Sequence, residues 1–231
     1  MSTAVGSLAE RVALVKRQVA EAAETSGRAP EDVTIVAVCK TAPREAVDAA
    51  VELGLRHFAE NRVQDALRKF ETPLPPGCDL HLIGHLQTNK ARPAVGLFDV
   101  IESVDRLSLI AALEKEAARI EKRVPVLLQV NISGEEQKAG CPPEEAHELL
   151  AALTVSRWLE PQGFMTMAPL VTDPEEARPV FRGLRELRDR LQEQFADVPL
   201  PVLSMGMSND YPVAIAEGAT LVRVGRAIFG G

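Results

Sequence analysis

The amino-acid sequence predicts an α/β protein in which residues 1–231 form a single (β/α)8 TIM barrel. Eight short runs rich in β-branched residues alternate with longer stretches rich in Ala, Leu, Glu and Arg, as strands alternate with helices in such barrels. A length of 231 residues lies near the lower limit for this fold. The one linker-like stretch, residues 71–78, is too short to divide domains. A doubly wound open sheet is the alternative, but it needs fewer strands, and no Gly-x-Gly-x-x-Gly follows the first strand.

Each element has a local signal of its own. The expected strands are residues 33–39, 55–60, 79–84, 98–102, 124–131, 161–167, 201–205 and 220–225. The expected helices are 7–25, 44–53, 62–70, 89–95, 106–122, 143–154, 174–195 and 209–217. Gly27 suits the end of the first helix, which precedes the first strand and is therefore an additional element. Asp173, Pro174 and Glu175 form a typical helix start, with a capping residue, a proline and an acid in order.

Composition excludes several classes of protein. The net charge of −7, without a basic face, argues against a nucleic-acid partner. No apolar stretch approaches the roughly 18 residues of a membrane span, and the first residues show no secretory signal. Cys39, Cys78 and Cys141 are scattered, which predicts neither disulfides nor a zinc site. We therefore expect a cytoplasmic, metal-free protein, with an aliphatic core because aromatic residues make up only 4%.

In a (β/α)8 barrel the chemistry lies at the carboxyl ends of the strands. The first strand ends in Lys40, and a lysine there is costly to bury unless it is paired or covalently used. Desolvation would favour the neutral amine, which can form a Schiff base. A lysine that extends to solvent is the alternative interpretation. Alternation along the strand predicts that Cys39 faces the helices as a small core residue.

Polar side chains also follow the third and fifth strands. His85, Gln87, Asn89 and Lys90 lie within six residues after the third strand and suggest part of a site. His81 and His85 are four apart, but a strand–loop segment does not place them on one helical face, so we expect no metal site there. Residues 133–140 after the fifth strand form either a lid or a solvated turn.

The last two strands carry the most specific signal. The seventh ends near Ser208 and the eighth in Gly225 and Arg226, each just before a helix start. Small residues and helix-start N–H groups favour a phosphate, and barrels commonly bind phosphate after strands seven and eight. Arg223 adds a positive donor that faces the pocket if alternation holds.

A ligand with both an aldehyde and a phosphate would satisfy the two ends of this pocket. Pyridoxal 5′-phosphate (PLP) is the obvious candidate, with Lys40 at its aldehyde. An aldolase that pairs a Schiff-base lysine with a sugar phosphate, without PLP, has the same requirements. The residues alone leave both interpretations open.

The chain resembles the PLP homeostasis proteins, the YggS/PROSC family, in stretches that run in order through nearly its whole length. Those stretches are Ala-Val-Cys-Lys-Thr at 37–41, Phe-Ala-Glu-Asn at 58–61, Ile-Gly-His-Leu-Gln-Thr-Asn-Lys at 83–90, Gln-Val-Asn-Ile-Ser-Gly-Glu at 129–135, Leu-Ser-Met-Gly-Met-Ser-Asn-Asp at 203–210, Ala-Ile-Ala-Glu-Gly-Ala-Thr-Leu-Val-Arg-Val-Gly at 214–225 and Ala-Ile-Phe-Gly at 227–230. The resemblance implies a fold-type III PLP barrel, the barrel of the alanine racemases.

The resemblance also implies roles for single residues. Lys40 would hold PLP as a Schiff base, and Asn61 would line the pocket. Ser208 and the backbone at Gly225 and Arg226 would bind the phosphate. Arg223 would face the pyridine nitrogen and keep it unprotonated, which weakens PLP as an electron sink. The chain departs from the family with Cys39 for Ser, Ala59 for Gly and Arg226 for Thr, and the last change removes a side-chain hydroxyl from the phosphate site.

The resemblance further implies a carrier of PLP with no established reaction. Alanine racemases add a β domain that supplies a catalytic tyrosine, whereas this sequence stops after its eighth strand and has Tyr211 in the helix after strand seven. We therefore expect a protein of PLP homeostasis that sequesters and delivers PLP, with PLP-dependent apo-enzymes as recipients. The alternative is a weak PLP-dependent amino-acid racemase. We expect a monomer or weak dimer.

Overall fold

The computed structural model describes residues 6–135 and 137–230, which form a closed barrel of eight parallel strands. Each strand pairs with its neighbours in chain order, and the last pairs with the first through Thr34 and Leu221. The strands are β1 (Thr34–Val38), β2 (His57–Glu60), β3 (Asp79–Leu82), β4 (Val100–Val104), β5 (Val124–Gln129), β6 (Leu159–Met165), β7 (Val202–Met207) and β8 (Leu221–Val224). The predicted (β/α)8 fold is confirmed.

Helices surround the barrel. They are α1 (Leu8–Thr25), α2 (Arg44–Glu52), α3 (Val63–Lys69), α4 (Ala91–Leu97), α5 (Leu107–Arg119), α6 (Ala146–Thr154), α7 (Arg178–Gln194), α8 (Tyr211–Ala216) and α9 (Arg226–Phe229). All the predicted strands and helices are present, and the strand ends differ from the prediction by at most two residues. The largest difference is at α7, where Pro174–Ala177 is a 310 turn. Pro179 has no N–H to donate to Glu175, so an α-helix cannot run unbroken from 174.

The apolar core lies between the strands and the helices. It is mostly aliphatic, as predicted, and includes Cys39, which faces the helices and not the barrel interior. The interior itself holds a smaller apolar cluster of Val36, Val38, Ala59 and Leu221. Much of the remaining interior is polar, because His81, Glu102, Gln129, Ser204 and Arg223 are all buried there. Most TIM barrels fill this space with branched aliphatic side chains.

The additional helix α1 supports the last part of the chain. Its amino terminus has a capping box between Ser7 and Glu10, and its buried face includes Val12 and Val15. It packs against α8 and α9. The Arg11 guanidinium donates to the carbonyl of Ile228 in α9 at 2.7 Å. Among the described residues, no helix is long and apolar enough to cross a membrane.

Candidate functional site

A cavity of about 590 Å³ opens at the carboxyl ends of the strands. This volume lies within the usual range for small-molecule sites. Seven of the eight strand ends, or the loops that follow them, contribute to its lining, which comprises Val38, Lys40, Asn61, Ile83, Gly84, His85, Gln129, Ala139, Met167, Leu170, Met207, Ser208, Asn209, Asp210, Arg223, Gly225 and Arg226. All six residues that the sequence analysis assigned to a site, namely Lys40, Asn61, Ser208, Arg223, Gly225 and Arg226, are in this set. The structure therefore brings them together, while their individual roles stay predictions.

Lys40 follows β1 and lines both this cavity and an adjoining shallow cleft with Arg44 and Arg68. The sequence left two interpretations open for this side chain, a desolvated amine or a lysine that extends to solvent, and Lys40 is exposed, in agreement with the second. β1 ends at Val38, two residues earlier, so Lys40 lies above the packed layer of strands and not within it. Its amine is accessible from the cavity mouth.

The ends of β7 and β8 meet at one side of the cavity. Ala227 N–H, in the first turn of α9, points to Ser208 Oγ at 3.4 Å. Arg226 reaches Asn209 Oδ1 at 3.4 Å. Gly206 in β7 has φ +92°, and a Cβ there would lie 2.6 Å from the Cβ of Ala214, so glycine at this position lets α8 pack closely against the end of β7. A hydroxyl, small residues and an exposed guanidinium converge here, which is a suitable environment for an anion.

Asn61 is positioned by the close approach of β2 and β3. A Cβ on Gly84 would lie 2.0 Å from the Asn61 carbonyl oxygen, so only glycine allows these two strand ends to pack as they do. The next residue, His85, lines the same wall and has Nδ1 3.5 Å from Asp105 Oδ2. The two strand ends therefore place an amide and an imidazole at the cavity.

Arg223 lies in the barrel interior beneath the cavity and is 3% exposed. Two of its N–H groups donate, to Ser204 Oγ at 2.6 Å and to the Thr166 carbonyl at 2.7 Å. Ser204 in turn donates to Glu102 Oε2 at 2.5 Å, and Glu102 Oε1 lies 2.7 Å from His81 Nδ1. The guanidinium is thus fixed by a chain of buried polar groups that crosses the barrel.

Glu102 supplies the negative charge that offsets Arg223. Burial by itself raises the pKa of Glu102, but the hydrogen bond and charge of His81, the charge of Arg223 and the Ser204 hydroxyl together hold the pKa below its usual 4.5. Burial lowers the pKa of Arg223, and the charges of Glu102 and Asp210 oppose this. A guanidinium stays protonated even so, and the pair is an ionised carboxylate and a cation joined through a hydroxyl.

Sequence reasoning missed several residues of this site. Gln129 at the end of β5 is 1% exposed, and its Nε2 donates to the Ala139 carbonyl at 3.2 Å. Its Oε1 has no partner within the described part of the chain, so the cavity presents a buried acceptor. Asp210 also lines the cavity, and burial raises its pKa despite hydrogen bonds from the Met207 and Asp210 N–H groups and the charge of Arg223. A sequence signal existed for two further residues: Glu102 follows two apolar residues in β4, and His81 lies between Leu80 and Leu82 in β3.

Other residues that were considered from the sequence lie elsewhere. Of the polar cluster after the third strand, only His85 lines the cavity; Gln87, Asn89 and Lys90 belong to the turn before α4. Tyr211 is buried against α1, where its hydroxyl donates to Gln18 Oε1 at 2.5 Å. Of the segment 133–140, Ala139 lines the cavity, and residue 136 lies outside the described residues. The two ends of the segment are held together, because the Asn131 N–H donates a hydrogen bond to the Cys141 carbonyl at 2.9 Å. The lid and the solvated turn both stay predictions.

Comparison with known proteins agrees with this architecture. Residues 14–231 match the family described as alanine racemase, N-terminal domain. The chain is 41% identical over 221 residues to the pyridoxal phosphate homeostasis protein of Aquifex aeolicus, covering 96% of each, and 36% identical over 233 residues to that of Escherichia coli K12, covering 98% and 97%.

Solved structures show the same likeness. PipY of Synechococcus elongatus, solved with PLP bound, superposes with a TM-score of 0.86 at 38% identity over 97% of this chain and 100% of PipY. The alanine racemase of Clostridium difficile, at 14% identity, shares the fold with a TM-score of 0.69 over 94% of this chain and 56% of its own length. The chain therefore belongs to the pyridoxal phosphate homeostasis protein family, whose barrel is that of the alanine racemase N-terminal domain.

Proposed function

We propose that this protein binds PLP in the cavity at the carboxyl ends of its strands and serves PLP homeostasis by sequestering and delivering it. The observation that carries the proposal is the position of Lys40 in the same cavity as Ser208, Gly225 and Arg226, above the buried Arg223. An amine and an anion site in one cavity match a ligand with an aldehyde and a phosphate. The family, and the PLP bound to PipY, support the same ligand.

The cavity residues fit PLP on chemical grounds. The Lys40 amine is accessible and would condense with the aldehyde, forming one C=N bond and releasing one water. Ser208, Gly225 and Arg226 would receive the phosphate, and Asn61 would line the ring. Gln129 Oε1 is a buried acceptor without a partner in the described residues and would take a hydrogen bond from the ligand. PLP, when bound, supplies an electrophilic carbon and a ring that can accept electrons.

Arg223 favours holding PLP over demanding chemistry. Its guanidinium is fixed by Ser204 and Thr166 and would donate one of its remaining N–H groups to the pyridine nitrogen. A nitrogen that accepts from a permanent cation does not take up a proton, which limits the ring as an electron sink. We therefore propose a carrier with no reaction of its own, with PLP-dependent apo-enzymes as recipients.

The first test compares wild type with Lys40→Ala and with the control Lys90→Ala. Lys90 follows β3 and does not line the cavity. With PLP added, wild type and Lys90→Ala should show a visible absorbance band that borohydride bleaches. Lys40→Ala should lack the band and unfold within about 0.5 kcal/mol of wild type, because its side chain is exposed. If wild type lacks the band, PLP binding through a Schiff base is contradicted. The PLP-independent aldolase would then be the better interpretation of this cavity.

One observation favours the alternative, a weak amino-acid racemase. His85 lines the cavity beside Asp105, and imidazole is the group that enzymes use most often for general acid–base catalysis. The test is interconversion of alanine enantiomers by the PLP-loaded protein, compared with free PLP and with His85→Gln. Turnover that exceeds free PLP and falls in His85→Gln would favour the racemase; turnover equal to free PLP favours the carrier.

We further propose that the protein works in the cytoplasm as a monomer or weak dimer. Cys39 and Cys141 are buried thiols, and burial raises the pKa of each to about 12. Such thiols are inert structural residues, in keeping with a reducing compartment. Fractionation of cells and sedimentation of the purified chain test these two statements.

A further inference from the structure

Three side chains that can bind a metal ion converge at the amino-terminal face of the barrel, away from the cavity. His57 is the first residue of β2, and Asp79, the first residue of β3, is its register partner. His81 lies two residues further along β3 and so shares a face with Asp79. In the sequence, His81 is four residues from His85 and gives no sign of a metal site; in the structure, the pairing of β2 with β3 places it beside His57 instead.

The two distances from His57 to the other ligand atoms match tetrahedral coordination. His57 Nδ1 lies 3.3 Å from His81 Nε2 and 3.4 Å from Asp79 Oδ2, and the three ligand atoms are all within 4.8 Å of one another. Ligands about 2.0–2.2 Å from a tetrahedral zinc ion are roughly 3.3–3.6 Å apart. The two imidazole rings meet at 74°, so they are not stacked.

The orientation of His81 turns one ring nitrogen toward the cluster. His81 Nδ1 lies 2.7 Å from Glu102 Oε1, so Nε2 is the ring nitrogen that faces His57 Nδ1. The Asp79 carboxylate approaches the same His57 Nδ1. One potential ligand atom from each of the three side chains therefore lies in the same small region.

The surroundings have the features of a metal site. A carboxylate that accepts from the second nitrogen of a ligating histidine is the usual outer partner in zinc proteins, and Glu102 holds this position on His81. The His81 side chain is only 4% exposed and fixed, whereas His57 and Asp79 are 34% and 49% exposed. The cluster is therefore rigid on its inner side and open to ions and water on its outer side.

We propose that His57, Asp79 and His81 bind a divalent transition-metal ion of the zinc class at the amino-terminal face of the barrel, with water at the fourth position. Two imidazoles and one carboxylate form a ligand set that suits Zn²⁺. The site is separate from the proposed PLP cavity, and no cavity-lining residue takes part as a ligand. It stands or falls independently of the proposed function.

The test is titration of the untagged full chain, freed of metal by a chelator, with Zn²⁺ in a calorimeter and with Co²⁺ in a visible spectrometer. Wild type should bind one Zn²⁺ per chain and give the intense visible bands of tetrahedral Co²⁺. His57→Gln and Asp79→Asn should each weaken Zn²⁺ binding at least about tenfold, a loss that even outer-partner changes produce. Both side chains are partly exposed, so both variants should fold.

Two control variants test whether the ion binds elsewhere. His147→Gln removes a histidine packed on Phe195, and Cys78→Ser removes the thiol next to Asp79. Zn²⁺ affinity should be unchanged in both. The proposal is overturned if wild type shows no saturable binding of one Zn²⁺, if His57→Gln binds as tightly as wild type, or if either control loses the site.

Discussion

At the scale of single residues, the protein is organised by charges buried inside the barrel. Arg223 and Glu102 are 3% and 0% exposed and meet only through the Ser204 hydroxyl. Two buried charges are stable only if they are matched and hydrogen-bonded, and here His81 and the Thr166 carbonyl complete the set. The orientation of Arg223 at the cavity therefore depends on residues that do not line the cavity.

Glu102→Gln tests this dependence. The variant leaves Arg223 with the charge of Asp210 alone, and breaking a buried pair from one side costs about 3–5 kcal/mol. We expect a loss of that size in the free energy of unfolding, measured by urea denaturation at about pH 7. Glu160→Gln is the control, because Glu160 pairs with Arg123 on the exposed side of β6 and should contribute about 0–1 kcal/mol. Equal losses of unfolding free energy in the two variants would mean that the buried hydrogen bonds through Ser204 and Glu102 do not hold Arg223 in place.

The pH dependence follows from the same carboxylate. The pKa of Glu102 in the folded state lies below its usual 4.5, so the unfolded chain takes up the proton first as pH falls. The stability that Glu102 contributes is therefore fully present above about pH 4.5 and is lost as pH falls through the lower folded-state pKa. Wild type should lose stability more steeply than Glu102→Gln in urea titrations from about pH 7 down to about pH 3. If the stability of the two proteins falls in parallel with pH, Glu102 is not ionised in the folded state.

At the scale of elements, α7 and α8 are joined by one carboxylate and three arginines. Glu217 caps α8 and is 4% exposed, and Arg178, Arg182 and Arg185 on α7 all reach it within 3.2 Å. Burial raises the pKa of Glu217, but the hydrogen bonds from Arg182 and Arg178 and the charges of Arg185 and Arg182 outweigh this and lower it. Because α8 follows directly after Ser208, this contact also supports the candidate anion site.

Glu217→Gln should therefore destabilise the protein. It keeps the size of the side chain but leaves three arginines close together, so we expect a loss of about 1.5–3 kcal/mol in the free energy of unfolding. Glu175→Gln is the matched control, since Glu175 is an exposed partner of Arg178 alone and should cost less than about 1 kcal/mol. Urea denaturation of both variants measures the difference. A Glu217→Gln variant as stable as the control would show that the cluster is a solvated surface network.

At the scale of the whole molecule, the chain is closed on itself by the pairing of β1 with β8. Thr34, Ile35, Val36 and Ala37 pair in register with Leu221, Val222, Arg223 and Val224. No strand of the closed barrel is left with an unpaired edge in the part of the chain that the structure describes, and α1 packs across α8 and α9 near the other end of the sequence. These contacts support one domain over residues 1–231, which stays a proposal.

A single domain should unfold as one unit. We expect one urea transition with the same midpoint by far-ultraviolet circular dichroism and by the fluorescence of Trp158, which lies just before β6. Circular dichroism reports all helices, whereas Trp158 reports one side of the barrel. Transitions with separate midpoints would divide the chain into independently folding parts.

The sequence by itself determined the fold class and the position of most elements, because both depend on local patterns. Alternating apolar strands and amphipathic helices define a (β/α)8 barrel. The motifs at the ends of β1, β7 and β8 and in the loops that follow them pointed to Lys40, Ser208, Arg223, Gly225 and Arg226. These residues need only a strand end and a turn to be placed at one face.

Only the tertiary structure decided which distant side chains meet inside the barrel. His57, His81, Glu102, Ser204 and Arg223 come from five strands, and no pattern along the chain states that their side chains touch. It also decided the exposure of Lys40, since the strand ends two residues earlier than the lysine. Contacts between strands depend on barrel closure and register, which are set by the whole molecule at once.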